Sequence, residues 1–343
     1  MVDHPQEVQS GAVEGYRFHP RDLSCDQRPP GISAFMRIRN GDEFLELTIR
    51  SHLPHFDEIV AVYNDCSDET AAILERLQHE VGADRLRVIH YRDRVHPPGS
   101  KGHRRTASTS PNSLVNYYNF ALAATRYAIA TKLDDDHLAI TDSLESVTRQ
   151  LRSLDKPLDR MLCFSGLNLA RGTDARLGVL ASSPVSGAGD IGFFQVTPKT
   201  YFTHDRRFER FHRGQCRRQF CGYLYWHLKN LKRDFGFGNY QINDNPESRY
   251  AKRYQAITSK PMSVLPWNSC LLAMQVTFKQ RVLSLVSEKQ RLLVSRNHAL
   301  SKTFCGTDTH SIVENSVDAH LFAMLNASPS HIAKSTSDGR HAA

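Results

Sequence analysis

The sequence predicts an α/β protein: a mixed, mostly parallel central sheet with flanking helices and a helical C-terminal portion. Three observations predict it. Over residues 32–133, apolar runs of strand length alternate with segments of helical periodicity. Several of the runs end in short polar side chains, at 39–42, 64–68 and 134–136. Those clusters stand at the carboxyl ends of the runs, where ligands of open parallel sheets bind.

The elements follow in order. Residues 1–30 are polar, carry four prolines and read as an irregular lead-in. Ile32–Ile38 is an apolar strand broken by Arg37, ending in the turn signal Arg39-Asn40-Gly41-Asp42. A helix is predicted over 43–53, a second strand over 58–62, a helix over 69–81 and a third strand over 86–90. Residues 92–112, rich in Pro, Gly, Ser and basic side chains, read as a mobile loop or lid. A helix over 113–126 then leads into a strand over 127–133, which runs straight into Asp134-Asp135-Asp136. The second half shows strands at 161–169 and 192–196 and a helix over 215–234 ending at Gly236 and Gly238. A further amphipathic helix is predicted over 276–291. The expected organisation is a lead-in over 1–30, two halves over 31–140 and 141–260, a helical region over 261–328 and a frayed tail over 329–343.

Composition narrows the class. With 343 residues, 40% of them hydrophobic and 23% charged, the chain is neither disordered nor fibrous and has material for a large core. It has no apolar run long enough to span a bilayer and no basic-then-apolar leader, so the expectation is a cytoplasmic protein, with a peripheral seat at the inner membrane face left open. The seven cysteines are scattered without zinc-ligand spacing and read as reduced thiols. The formal charge of +8 is concentrated: residues 201–260 hold 13 basic and 5 acidic side chains, and the remainder is balanced. A local basic field implies an anionic partner such as a nucleoside diphosphate, a lipid phosphate or a charged glycan. Interleaved aromatics also admit single-stranded nucleic acid, but no RNP, zinc-finger or helix-turn-helix signature accompanies them, and no nucleic-acid partner is expected.

Two clusters carry the chemistry. Three adjacent carboxylates at a strand end repel one another, and a hard divalent cation, Mg2+ or Mn2+, relieves that repulsion. Asp134 and Asp136 share a face if the strand continues through them. The alternative is an exposed acidic turn. The segment Asn64-Asp65-Cys66-Ser67-Asp68-Glu69-Thr70 either caps the following helix or reads a nucleobase and ribose.

In their order and spacing, Asn40-Gly41-Asp42-Glu43, Val62 to Thr70, the Asn119-containing helix and Lys132-Leu133-Asp134-Asp135-Asp136 resemble the N-terminal half of GT-A glycosyltransferases, family 2 most closely. The resemblance covers residues 30–140 and implies that 31–140 bind the donor and 141–260 form the acceptor-binding and catalytic half. It departs from the family pattern where Arg39 replaces a Tyr and where Asn64-Asp65-Cys66-Ser67 replaces Asp-Asp-Gly-Ser. It implies a GT-A fold and a nucleotide-sugar donor contacted by Arg39, Asn40, Asn64, Asp65, Asn119, Asp134 and Asp135. It also implies a divalent cation on Asp136, with His227 as a late ligand. An inverting reaction on a glycan or lipid-linked acceptor, suited to surface-polysaccharide assembly, needs a carboxylate base. Asp190 on a Gly-rich turn is favoured, then Glu209, with Asp205 also in range. Arg217, Lys229 and Lys232 are assigned to the diphosphate and acceptor, with Arg218 also offsetting the diphosphate charge. His227 otherwise reads as a core histidine on a helical face with Phe220, Leu224 and Leu231. The alternatives are a nucleotidyltransferase of related fold, for which the required Gly-rich loop is missing, and a basic non-enzymatic nucleic-acid-binding protein.

Overall fold

A computed structural model describes residues 5–8, 11–24, 28–172, 174–187, 189, 191–204, 209–240, 242–243, 246–259, 262–304, 306 and 308–327. Its strands are β1 (Gly11–Val13), β2 (Ile32–Ile38), β3 (Glu58–Tyr63), β4 (Leu86–Tyr91), β5 (Ile129–Lys132), β6 (His137–Ala139), β7 (Arg160–Arg171), β8 (Leu177–Leu180), β9 (Val185–Ser186), β10 (Gly192–Gln195), β11 (Tyr201–His204), β12 (Glu209–His212), β13 (Arg217–His227) and β14 (Val264–Leu265). The helices are α1 (Leu45–His52), α2 (Thr70–Val81), α3 (Lys101–Arg105), α4 (Leu114–Ala123), α5 (Thr141–Arg152), α6 (Arg249–Thr258), α7 (Trp267–Ala273), α8 (Phe278–Ser284), α9 (Glu288–Thr303), α10 (Thr309–Ser316) and α11 (Ala319–Ala327).

The main sheet runs β1-β4-β3-β2-β5-β10-β7-β13-β6. β1 through β5 pair in parallel, and so do β7 and β13. β10 is antiparallel to both its neighbours, and β6 is antiparallel to β13. The mixed, mostly parallel α/β architecture expected from the sequence is therefore the one observed. After β4 the chain returns to the far side of β2, so the strand order reverses between β2 and β5. Such a switch point opens a crevice beyond the strand carboxyl ends.

The central strands are buried on both faces, which explains their unbroken apolar runs. Phe35, Val60 and Val62 point to the layer containing α4, while Ala34, Met36 and Ile59 point to the layer of α1, α2 and α5. A third cluster joins Tyr223 and Trp226 of β13 to Trp267, Phe304 and the C-terminal helices.

Four expectations are corrected. The 215–234 helix does not form: 217–227 is β13, paired with β7 and β6, and the helical face assigned to His227 does not exist. The lead-in is not wholly irregular, since β1 adds to the sheet edge and Val13, Tyr16 and Leu23 are buried. The 276–291 helix is two helices, parted where Ser287 caps α9 by accepting from the Gln290 amide. The 92–112 loop contains α3, capped by Ser100.

At the amino ends of the strands lies a dry ionic network. Glu58 accepts from Ser33 Oγ at 2.7 Å, from the Arg126 amide at 2.6 Å and Nε at 3.0 Å, and from Arg87 Nη1 at 3.3 Å. The Glu58 and Arg87 side chains are fully buried.

His52 ends α1 in the core, its Nδ1 2.9 Å from the Thr48 carbonyl. A carbonyl only accepts, so Nδ1 carries a hydrogen. Burial drives its pKa from 6.5 down to about 3. Below pH 6.5 the unfolded chain takes up a proton that the folded chain refuses. Stability is therefore complete above 6.5 and falls by about 1.4 kcal/mol per pH unit on the way down to about 3. In urea melts between pH 7 and pH 5, His52→Gln is expected to flatten the pH slope by about that amount, leaving the contributions of His137 and His55, whose pKa values burial also lowers. An unchanged slope would show that His52 does not titrate on unfolding.

Candidate active site

A cleft of about 800 Å³ opens at the switch point, outside the carboxyl ends of β2 and β5. One wall is the 37–43 turn and Asp134–Asp136, and the other is β12 with residues 227–240. Among its described lining residues are seven arginines and three lysines against six carboxylates. Much of the basic excess of 201–260 is therefore gathered here: Arg210, Arg213, Arg218, Lys229, Lys232, Arg249 and Arg253 all face the cleft.

The β2 turn is fixed by backbone geometry. Asn40 and Asp65, which follow β2 and β3, both adopt left-handed φ values of 49° and 48°. Asn and Asp tolerate that region better than other non-glycine residues. Asn40 Oδ1 accepts from the Ser67 amide at 2.8 Å and Arg39 pairs with Asp65 at 2.7 Å, joining the two turns. Gly41 packs so tightly that a Cβ there would lie 2.6 Å from Asp135 Oδ2, so only glycine lets the acidic turn come this close.

At the acidic turn the chain leaves β5 and bends, and strand alternation no longer governs 134–136. The carboxylates take different partners. Asp134 pairs with Lys132 Nζ at 3.1 Å, with Arg37 and His137 at 4.0 Å. Burial works against its ionisation, but the cations beside it, Lys132 foremost, outweigh it and hold the pKa at about 2. Lys232 Nζ lies 2.9 Å from Asp135 and 3.4 Å from Asp136. Burial pushes Asp135 up despite that ion pair. Asp136 resists the same burial and lies well below the ordinary carboxylate range, chiefly because the Lys232 ammonium stabilises its charge. Much of the repulsion that the sequence suggested a metal must relieve is thus met by Lys132, Arg37 and Lys232.

The antiparallel pairing of β6 with β13 sets His137 opposite His227. With Asp136 they offer three ligand atoms within 4.8 Å of one another. His137 is stacked on Tyr225 with ring centroids 3.7 Å apart, and burial lowers its pKa to about 3, so it presents a neutral imidazole. His227 Nδ1 is 2.6 Å from Asn168 Oδ1. The Asn168 amide nitrogen donates to the Ser183 carbonyl, so its oxygen accepts and His227 Nδ1 donates. His227 Nε2 then faces Asp136 Oδ1 at 3.3 Å. Two acceptors face each other there unless a proton or a cation lies between them. An ionised carboxylate, two imidazoles and a fixed Nδ1–H tautomer are a donor set that fits a divalent cation.

Across the cleft, the β11–β12 hairpin carries Glu209. Its Oε1 accepts from Tyr118 Oη at 2.5 Å, and its buried Oε2 has no hydrogen-bond partner among the described residues. Burial, then the charges of Glu209 and Asp134, keep Tyr118 far above its usual pKa against the pull of Arg37, so the phenol is the donor. The Arg37 guanidinium carbon lies 3.3 Å above the Tyr118 ring centroid.

The remaining sequence candidates are placed as follows. Arg39, Asn40, Lys229 and Lys232 line the cleft. Asn64 also lines it, but its amide already donates to the Tyr91 and Asp93 carbonyls and accepts from Val95 N. Asp65 is not among the lining residues. Asn119 is buried away from the cleft and holds Phe202 through both backbone groups, thereby positioning the hairpin. Arg217 is exposed; on a strand its neighbour Arg218 takes the opposite face and reaches the cleft. Asp190 and Asp205 lie outside the described residues. Sequence reasoning missed Arg37, Lys132, Tyr118, His137 and Asn168. The one visible signal was a charge inside each of two apolar strands, Arg37 and Lys132.

Fold and cleft together define an α/β protein with a cation-lined, carboxylate-bearing crevice at a strand switch point. No family model and no curated protein matches the chain. Among solved structures, glucosyl-3-phosphoglycerate synthase from Mycobacterium tuberculosis, in complex with Mn2+, uridine diphosphate and phosphoglyceric acid, aligns at 15% identity over 48% of this chain and 52% of its own, with a TM-score of 0.26. This chain thus spans about half of that protein's length. A mannosyltransferase from Pyrobaculum calidifontis in complex with GDP-Man and Mn2+ aligns at 11% identity over 81% of this chain and 87% of its own, with a TM-score of 0.31. A 4-diphosphocytidyl-2C-methyl-D-erythritol synthase from Anaerococcus prevotii aligns at 13% identity over 48% and 70%, with a TM-score of 0.28.

Proposed function

We propose that the protein is a GT-A-type glycosyltransferase that moves a sugar, with inversion, from a nucleoside-diphosphate donor to an anionic glycan or lipid-linked acceptor. The observation that carries this reading is the facing pair Asp136 Oδ1 and His227 Nε2, backed by His137, in a cleft whose lining is rich in cations. Asp136, His227 and His137 would hold a divalent cation, Mg2+ or Mn2+. Such an ion supplies charge neutralisation at the donor diphosphate. Lys229 and Lys232 stand beside it and stabilise the nucleotide as it leaves. Arg39 and Asn40 face the donor half of the cleft. Arg213 and Arg218, on the opposite wall, suit an acceptor bearing phosphate or carboxylate.

Inversion requires a base on the acceptor hydroxyl. Glu209 meets that requirement, because Tyr118 pins one oxygen while the other has no partner among the described residues and takes the proton.

The test is thermal-shift screening with UDP-, GDP-, CMP- and TDP-sugars, each with and without Mn2+. One nucleotide class is expected to raise the melting temperature by about 4 °C or more at a hundredfold excess over its Kd, and only with metal present. Equal shifts with and without metal would refute the Asp136–His227 cation site, and no shift with any donor would refute the transferase reading.

A further inference from the structure

Residues 278–286 form an uncovered apolar knuckle. Helix α8 continues through a turn in which the Leu285 and Val286 amides donate to the Val282 and Leu283 carbonyls, at 3.1 and 3.3 Å. Helical spacing therefore persists to Val286. Phe278, Val282, Leu285 and Val286 stand at i, i+4, i+7 and i+8 and make one stripe. They are 81%, 48%, 78% and 84% exposed. Both ends of the knuckle are tied: Thr277 and Gln280 close a capping box before it, and Ser287 caps α9 after it. The stripe is thus a built surface, and a contiguous exposed apolar surface of this kind marks a contact.

Charge decides what meets it. Residues 278–303 carry six basic side chains and a single acidic one, Glu288. Glu288 is already clamped by Arg213 and Arg218 at 3.0 and 2.9 Å. The basic residues nearest the stripe, Lys279, Arg281, Lys289 and Arg291, are all exposed. A two-fold pairing of copies through this face would bring those charges against themselves. Anionic phospholipid headgroups would complement them while the apolar stripe enters the acyl boundary.

We infer that the α8 knuckle seats the protein on an anionic lipid surface. Its position gives that seat a use. Glu288, two residues beyond Val286, accepts from the Arg218 amide and guanidinium, and Arg218 Nη1 donates to the Gly189 carbonyl at 3.0 Å. Arg218 and Gly189 both line the cleft. The bilayer thus meets the wall of the cleft that faces the acceptor. The inference goes beyond the proposed activity, and its test needs no turnover.

The full chain is sedimented with vesicles of phosphatidylcholine alone and of phosphatidylcholine with phosphatidylglycerol. It is expected to pellet with the anionic vesicles. Lys279→Glu with Arg281→Glu should weaken that binding about twenty-fold or more, since each headgroup contact contributes roughly a factor of five. Leu285→Ser with Val286→Ser should weaken it independently of the charges. These side chains are exposed, so the melting temperature should stay at the wild-type value and report an intact fold. Failure to pellet with either vesicle, or pelleting that both variant pairs leave unchanged, overturns the inference. So does a concentration-dependent dimer that the Leu285→Ser, Val286→Ser pair dissolves, because a second copy would then be the occupant.

Discussion

Asp136→Ala is expected to lower metal-dependent release of nucleoside diphosphate from the donor by a hundredfold or more, an effect of about 3 kcal/mol on the transition state. The chain should stay folded, because Lys232 keeps its ion pair with Asp135 at 2.9 Å and His227 keeps Asn168 at 2.6 Å. What disappears is the anionic oxygen facing His227 Nε2. Mn2+ binding, followed by calorimetry on the same variant, should weaken in parallel. The two measurements together separate a cation site from a structural ion pair. If Asp136→Ala turns over donor at the wild-type rate, the proposed cation seat is wrong, and Lys232 is the positive charge that matters at this turn.

The largest stability effect is expected at the other end of the sheet. Glu58→Leu should destabilise the protein by about 3–5 kcal/mol, because it removes the countercharge of Arg87 in a fully dry site. It also strips acceptors from Ser33 Oγ, the Arg126 amide and the Arg126 guanidinium. Glu58→Gln keeps an acceptor for Ser33 and the Arg126 amide but loses the charge, so it should fall between leucine and wild type. Urea melts read both through the midpoint, with the slope unchanged if the denatured state is unaffected. A loss below about 1 kcal/mol for Glu58→Leu would mean that Arg87 finds solvent in the folded state.

No helix among the described residues is long and apolar enough to cross a bilayer. The exposed stripe on α8 is a surface feature of another kind, and the seat argued for it depends on headgroup charge.

Legibility was uneven along the chain, for reasons visible in particular residues. From β2 to β5 each element hides one face or both, and the apolar period survives in the sequence. Strand Ile32–Ile38 agrees with the structure to the residue. β13 hid its nature because register shifts between Phe220 and Gly222, and between Tyr223 and Tyr225, break the two-residue alternation. Without that alternation, Phe220, Leu224, His227 and Leu231 mimicked a helical stripe. The error had a functional cost: it left Arg217 and Arg218 undistinguished, whereas on a strand Arg217 is exposed and Arg218 faces the cleft. β1 was missed because three residues pairing through their backbone leave no side-chain pattern.

From its order of residues alone, this chain determined a parallel α/β core, the acidic turn after β5, and a basic segment that must meet something anionic. Those are local facts, set by periodicity and by charge counted along the sequence. Only the tertiary structure decided that His227 stands opposite His137, that Lys232 reaches back 97 residues to Asp135, and that Glu209 hangs over the cleft on a hairpin held by Asn119. Such partners are chosen by strand register and loop closure. These depend on how separate elements pack, and no local period in a sequence records that.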